Sequence, residues 1–259
     1  MASVFQILLR AHIGAGAVAL LLFWIPAIAP KGGKVHIRAG LFYAVCMLIV
    51  VLTALTMSGL TFAAPLTIRG IAPPPTPAGL ALFLRNQRIF ATFLGYLGAL
   101  TLAAGWQGIS AIQTKQEPRK MRTPFTLALN ALIILGGFVV LFLGIRYGRG
   151  PLIGMSPIGP LIGVGNLKYL LRGPQSRMHW WYAHLSSMLA TGIAGYTAFI
   201  VIGGAHLFPS LARTQFFTIF WVLPSLVGVP AIFATVAYYR RKFHESGHGG
   251  NLPQAQTTL

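Results

Sequence analysis

The stretch RMHWWYAHLSSMLATGIAGYTAFIVIGGAH, residues 177–206, decides the fold class of this chain. It begins with a cation and an aromatic cluster, Trp180, Trp181 and Tyr182, and then runs apolar for about the thickness of a bilayer. Trp and Tyr favour the headgroup level because their rings are apolar with one polar group. The pattern predicts a transmembrane helix anchored at its start. His184 lies about one turn inside that anchor, and an ionisable residue at such a depth indicates function.

The composition of the whole chain agrees with a membrane protein. Of the 259 residues, 55% are hydrophobic and only 8% are charged, whereas soluble domains carry roughly 25% charged residues. The chain has 20 Lys and Arg residues against 2 acidic ones, a net charge of +18. The cations are spread over every predicted loop rather than gathered on one face, which excludes nucleic acid as a partner. They suit anionic lipid headgroups or the acidic surface of another membrane subunit.

The shortage of acidic residues excludes several classes of function. Glu117 and Glu245 are the only acids, and neither lies in an apolar stretch. Intramembrane proton relays and cation sites usually need Asp or Glu, so a carboxylate-based pump, a cation antiporter and a two-carboxylate hydrolase are all disfavoured. Cys46 is the only cysteine, which excludes an intramolecular disulfide and a cysteine-based metal cluster.

Six apolar segments of about 20 residues match the thickness of a bilayer. We therefore predict an all-α, polytopic membrane helix bundle, with one transmembrane domain over residues 1–242 and a polar tail over 243–259. Pro224 and Pro230 predict a kink in the last span. The predicted spans cover residues 4–29, 39–64, 89–112, 125–145, 180–204 and 216–239.

The segment Gly150–Leu171 is apolar but rich in Gly and Pro, and it contains GPLIG twice. This composition predicts a non-helical segment that packs on protein or lies at the interface, since lipid cannot satisfy free backbone groups. With that segment not counted as a span, the even number of spans places both termini on one side. The basic residues Arg240, Arg241 and Lys242 predict that this side is the cytoplasm, at the inner membrane of a bacterium.

Four of the seven histidines fall at two predicted depths of the bundle. His12 and His184 are assigned to the inner leaflet, and His36 and His206 to the outer side. Two stacked histidine pairs, His12 with His184 and His36 with His206, are the ligand pattern of a membrane cytochrome with two b-type haems.

Glycines and arginines near the histidines fit the same hypothesis. Gly16 and Gly40 each follow a histidine by four residues and share its helix face, which would let a macrocycle lie against the backbone. Three arginines are candidates for pairing with haem propionates: Arg10, Arg38 and Arg177. The alternative is that the small residues let helices pack closely and that the histidines bond across helices without a cofactor.

The N-terminal third resembles a family of uncharacterised bacterial polytopic membrane proteins. The resemblance rests on His12 in the first span and on the run Lys31-Gly32…His36…Gly40 that opens the second. Later matches are Tyr43, Met47, His184-x3-Met188 and Thr197-Ala198-Phe199. The family has no established activity, so the resemblance implies only that these histidines belong to a recurring pattern.

The first functional hypothesis is a haem b electron-transfer protein that takes electrons from a quinol or a similar small reductant. Trp180, Trp181 and Tyr182 with His179 are candidates for lining a quinol pocket, against the simpler role of interface anchoring. The second hypothesis is a non-catalytic subunit of a larger membrane complex. The third is a carrier for a neutral or anionic solute, which the lack of acidic residues permits.

Overall fold

A computed structural model describes residues 2–212 and 219–245, which form helices and the turns that join them. Six of these helices are long and apolar enough to cross a membrane, which confirms the predicted all-α bundle. Residues 216–218 of the last predicted span and residues 246–259 of the predicted tail lie outside the described residues. The helices are α1 (Ala2–Ile28), α2 (Lys34–Ala63), α3 (Pro65–Arg69), α4 (Pro77–Thr114), α5 (Pro124–Arg146), α6 (Gly150–Met155), α7 (Ile158–Arg172), α8 (His179–Ala198), α9 (Gly204–Leu207), α10 (Pro209–Ala212) and α11 (Leu223–Lys242).

Two of the long helices begin at a Thr-Pro pair. Thr76 and Thr123 cap α4 and α5, and each side chain accepts a hydrogen bond from a backbone N–H three residues on. The following proline stands in the first turn, where its missing N–H costs nothing. Pro224 has a similar position at the start of α11, so the predicted span is interrupted just before this residue, and only Pro230 lies inside the helix.

The helices α6 and α7 run antiparallel to α5 along its whole length. Both are helical, so the prediction of a non-helical segment at Gly150–Leu171 is wrong, whereas its packing against protein is confirmed. A break at Ser156 and Pro157 separates the two helices. The matching contacts along α5 are Arg122 with Leu170, Asn130 with Asn166, Gly137 with Pro160, and Gly144 with Ile153.

Tyr96 of α4 satisfies the backbone groups that this break would leave free. Its buried hydroxyl donates to the carbonyl oxygen of Ser156 at 3.0 Å and accepts from the N–H of Gly159 at 2.8 Å. Broken helices are tolerated at membrane depth where neighbouring protein supplies such partners. This explains how a segment rich in Gly and Pro remains helical inside the bundle.

We expect Tyr96→Phe to lower the free energy of unfolding by about 1–3 kcal/mol, because it leaves buried backbone groups without a partner. The measurement is thermal unfolding of the purified protein in detergent. Tyr238→Phe is the matched control, since Tyr238 is 60% exposed. Equal unfolding temperatures for the two variants would contradict a role for the Tyr96 hydroxyl in stabilising the break.

The crossing of α6 and α7 sets the direction of every later helix. We call the end of the bundle where α1 begins end A and the opposite end, which holds the α1–α2 turn, end B. Since α7 returns the chain to end B, α8 begins there, and Gln116 at the end of α4 donates to the carbonyl of Arg177. The helix α11 then ends at end B, where Trp181 packs on Tyr239 with ring centres 4.5 Å apart.

The first and last described helices therefore begin and end at opposite ends of the bundle. The even number of crossings in the sequence prediction left out α6 and α7, which together make a further crossing between Gly150 and Arg172. Glu245, just after α11, folds back onto the start of α8. Its carboxylate accepts from the Met178 N–H at 2.9 Å and from the Tyr182 hydroxyl at 3.0 Å. The negative charge of this carboxylate is also stabilised by the positive end of the α8 helix dipole.

Candidate functional site

Two histidines from different helices meet near end B. His36 stands in the first turn of α2, and His184 stands in the second turn of α8. Their ring centres are 6.4 Å apart, and the ring planes make an angle of 69°. Both side chains are partly buried. No other two of the predicted ligand histidines meet in a ring contact within the described chain.

Each of these two imidazoles is oriented by a backbone carbonyl. Nδ1 of His36 lies 3.0 Å from the carbonyl oxygen of Pro26, and Nδ1 of His184 lies 2.9 Å from that of Gly108. A carbonyl can only accept a hydrogen bond, so Nδ1 carries the hydrogen in the neutral ring. The lone pair is then on Nε2 in both rings. A carbonyl partner of this kind is what typically fixes the tautomer of a metal-binding histidine.

The spacing of the two rings is one at which His36 and His184 would both be able to bind a single metal ion. Imidazole nitrogens bind metal ions at about 2 Å, so two rings on opposite sides of one ion have centres about 6 Å apart. The measured separation is 6.4 Å. No group of three or more His, Cys, Asp or Glu side chains in the described ranges is arranged to hold a metal ion.

A buried hydrogen bond ties the same two helices together below the histidines. Tyr43 of α2 and Thr191 of α8 share a hydrogen bond of 2.8 Å between their hydroxyl groups. Each follows its histidine by seven residues, or two helical turns, so it lies on the same helix face. The sequence analysis did not predict this hydrogen bond. The equal spacing of seven residues from each histidine could have indicated it. The bond holds the two histidine-bearing faces in register.

His12 lies far from this pair. Its Nδ1 is 3.0 Å from the carbonyl of Val50, which is 14 residues beyond His36 on α2, or about 21 Å along the helix. The predicted pairing of His12 with His184 is therefore wrong. His206 lies exposed in α9, toward end A, so its predicted pairing with His36 is also wrong. Both errors have one cause, because the crossing of α6 and α7 reverses the direction assumed for α8.

The glycines predicted to flank a macrocycle lie between α1 and α2 instead. A Cβ added to Gly16 would meet the side chain of Val50 at 3.8 Å, and one added to Gly40 would meet Pro26 at 3.9 Å. Both glycines thus face the neighbouring helix, where an added methyl group would make an ordinary contact. All three predicted arginines are exposed. Two of them, Arg38 and Arg177, lie at end B with the histidine pair, and Arg10 lies toward end A.

A cavity of about 450 Å³ opens at end B between the α1–α2 turn and the ends of α8 and α11, and neither His36 nor His184 lines it. Trp181, Tyr239 and Phe243 form one wall with ring centres 4.5–5.8 Å apart, and Lys31 forms another. Nζ of Lys31 donates to the carbonyl oxygen of Pro26 at 2.9 Å, the same oxygen that accepts from His36. Burial lowers the pKa of the Lys31 ammonium. Of the predicted quinol pocket, Trp181 lines this cavity, whereas Trp180, Tyr182 and His179 do not.

The geometry of this site is the principal evidence on function. The resemblance of the N-terminal third to a family of membrane proteins stays a prediction. Comparison of the chain with protein-family models, with curated proteins and with solved structures finds no significant match.

Proposed function

We propose that this chain is a multi-pass membrane protein that transfers electrons through one b-type haem held between His36 and His184. The observation that carries the proposal is the pair of imidazoles with centres 6.4 Å apart, each with Nδ1 bonded to a backbone carbonyl. The sequence alone predicted two haems. The arrangement of the helices supports one, because His12 and His206 have no histidine partner among the described contacts.

The residues around the pair have separate tasks in this proposal. The carbonyls of Pro26 and Gly108 fix the tautomer of the two rings and raise the basicity of Nε2. Arg38 and Arg177, exposed at end B, are placed where they can pair with carboxylate groups of a cofactor. A haem bound there would supply one-electron redox chemistry, while the protein supplies ligands, orientation and shielding from water.

The direct test is the visible spectrum of the purified protein in mild detergent. A haem with two histidine ligands gives a Soret band and a sharp band on reduction. Wild-type protein expressed with ample haem should show both, at close to one haem per chain by extraction. Protein that folds as a monodisperse species but carries no haem would rule the proposal out.

The donor we propose is a membrane quinol, bound in the cavity at end B. An aromatic wall of Trp181, Tyr239 and Phe243 suits a flat ring, and Lys31 offers a cation beside it. The cavity is linked to the histidine pair through the carbonyl of Pro26, which bonds both Lys31 and His36. The same spectral experiment tests this donor, since a short-chain quinol added in place of dithionite should reduce the bound haem.

We propose that end B faces the cytoplasm of a bacterium and that the chain begins on the outer side. Cytoplasmic segments carry an excess of Lys and Arg, and end B holds more of them than end A. At end B lie Lys31, Lys34, Arg38, Lys115, Arg119, Lys120, Arg122, Lys168, Arg172, Arg177, Arg240, Arg241 and Lys242. Toward end A lie Arg10, Arg69, Arg85, Arg88, Arg146 and Arg149, and Arg213 is outside the described residues.

This orientation predicts opposite labelling of two introduced cysteines in a Cys46→Ala background. Ala72→Cys lies in the exposed connection between α3 and α4 at end A, and Lys120→Cys lies in an exposed turn at end B. A membrane-impermeant maleimide added to intact cells should label Ala72→Cys at once and Lys120→Cys only after permeabilisation. The reverse pattern of labelling would show that end A, and not end B, faces the cytoplasm.

End B is also where we propose that a protein partner with an acidic surface docks. Both carboxylates of the chain are engaged at this end: Glu117 pairs with Lys120 at 2.8 Å, and Glu245 bonds to the start of α8. Most of the cations there are left to face an outside partner, such as the protein that accepts the electron. Complementary charge of this kind would steer association and weaken as salt is raised.

A further inference from the structure

Four arginines gather at one corner of end A, far from both acidic residues. Arg85 and Arg88 lie one turn apart on α4, and Arg146 and Arg149 lie at the end of α5 and just after it. Glu117 and Glu245 are both at end B. The chain contains no other carboxylate side chain. The charge of this corner is therefore not balanced from within the protein.

Two of the four arginines contact the same aromatic ring. The guanidinium of Arg85 lies 5.0 Å from the ring centre of Tyr147, and that of Arg146 lies 5.4 Å from the same centre. The ring attracts each cation, but two like charges this close repel each other. Arg149 is held nearby by a 3.0 Å hydrogen bond to the side-chain oxygen of Asn86. An anion bound at this corner would relieve the repulsion.

A cavity of about 470 Å³ opens between the helices at the same place. Arg85 and Arg88 line it from α4, Tyr147 from α5, and Phe62 from the end of α2. Arg88 is fixed over Phe62, with Nε donating to its carbonyl oxygen at 3.3 Å and the guanidinium 5.8 Å from the ring centre. The remaining lining is mainly aliphatic, and Phe62 is 50% exposed. The cavity thus combines guanidinium groups with an exposed apolar surface.

We propose that this cavity binds the headgroup phosphate of an anionic phospholipid. Guanidinium groups match phosphate oxygens in two-point geometry. The exposed apolar lining fits acyl chains, which a free inorganic anion would leave uncovered. The site is independent of the histidine pair, which lies at the opposite end of the bundle.

Native mass spectrometry of the whole protein tests the site, with phosphatidylglycerol and phosphatidylcholine added at equal concentration. The wild type should retain one phosphatidylglycerol in preference to phosphatidylcholine. Arg85→Gln combined with Arg88→Gln should lower the retained fraction by about tenfold or more, because two charge-assisted contacts are lost. Arg172→Gln, an exposed arginine at end B, is the matched control and should retain the lipid as the wild type does.

Three outcomes would overturn the proposal. Equal retention of the two lipids would show that the headgroup charge is not recognised. A similar loss in Arg172→Gln would show that net charge alone governs binding. Displacement of the lipid by millimolar inorganic phosphate would assign the site to a free anion. Since the double variant could disturb folding, Arg85→Lys with Arg88→Lys keeps the charge and should retain an intermediate fraction of lipid.

Discussion

Under the proposed ligation, purified His36→Ala and His184→Ala proteins should each bind haem with an occupancy about 10- to 100-fold or more below that of the wild type. Substituting residues that only orient a metal ligand typically costs that much affinity, and here a ligand itself is removed. The two substitutions should act alike, because the proposal gives the two imidazoles, whose ring centres are 6.4 Å apart, the same role. Haem extracted per chain and the reduced visible spectrum are the measurements.

His12→Ala and His206→Ala are the matched controls for this experiment. The predicted depths of the residues in their spans pair His12 with His184. The structure instead separates these two histidines and places His184 beside His36. We therefore expect both control variants to keep the spectrum of the wild type. If His12→Ala lost as much haem as His184→Ala, the result would support the pairing of His12 with His184. It would contradict the pairing of His36 with His184.

A structural role and a ligand role for His36 can be separated by chemical rescue. The carbonyl of Pro26 loses one of its two donors in His36→Gly, which would weaken the α1–α2 turn whether or not a haem is present. Added imidazole can enter the vacated space and bind iron, but it does not restore the covalent link to α2. Recovery of the reduced band on adding imidazole would support ligation. Recovery of thermal stability without any spectral change would support a purely structural histidine.

The transmembrane helices could be predicted from the sequence because each has its own local signal. Apolar length marks the spans, and the pairs Thr76-Pro77 and Thr123-Pro124 mark two helix starts. The interface aromatic residues before His184 mark a third. These signals act within one or two turns, so they do not depend on how the helices are arranged.

The histidine pair could not be predicted because it depends on long-range packing. The direction of α8 depends on whether residues 150–171 cross the bundle. Gly and Pro in residues 150–171 disfavour a helix by intrinsic propensity. Propensity is overridden here by two partners distant in sequence, the hydroxyl of Tyr96 and the closely packed backbone of α5. Once α6 and α7 cross the bundle, α8 begins at end B. Because that segment was not counted as a crossing, the sequence analysis paired His184 with His12 instead of His36.

The same close packing predicts a large effect for Gly159→Ala. A Cβ at this position would lie under 3.0 Å from both the carbonyl oxygen of Ile133 and the hydroxyl oxygen of Tyr96. The first is backbone of α5 and cannot rotate away, so the two helices must move apart. We expect a loss of about 3 kcal/mol in the free energy of unfolding, at the upper end for an overpacked core. The unfolding temperature in detergent should fall by roughly 6–12 °C.

Gly165→Ala provides the control within the same helix. Gly165 is exposed in α7, and an added Cβ would meet no atom within 4 Å. Alanine is the better helix former by about 0.5–1 kcal/mol, so this variant should be as stable as the wild type or slightly more so. Because α7 sets the direction of α8, a displaced α7 should also disturb the contact between His36 and His184. A Gly159→Ala protein that unfolds like Gly165→Ala would show that α6 and α7 do not pack on α5 as described.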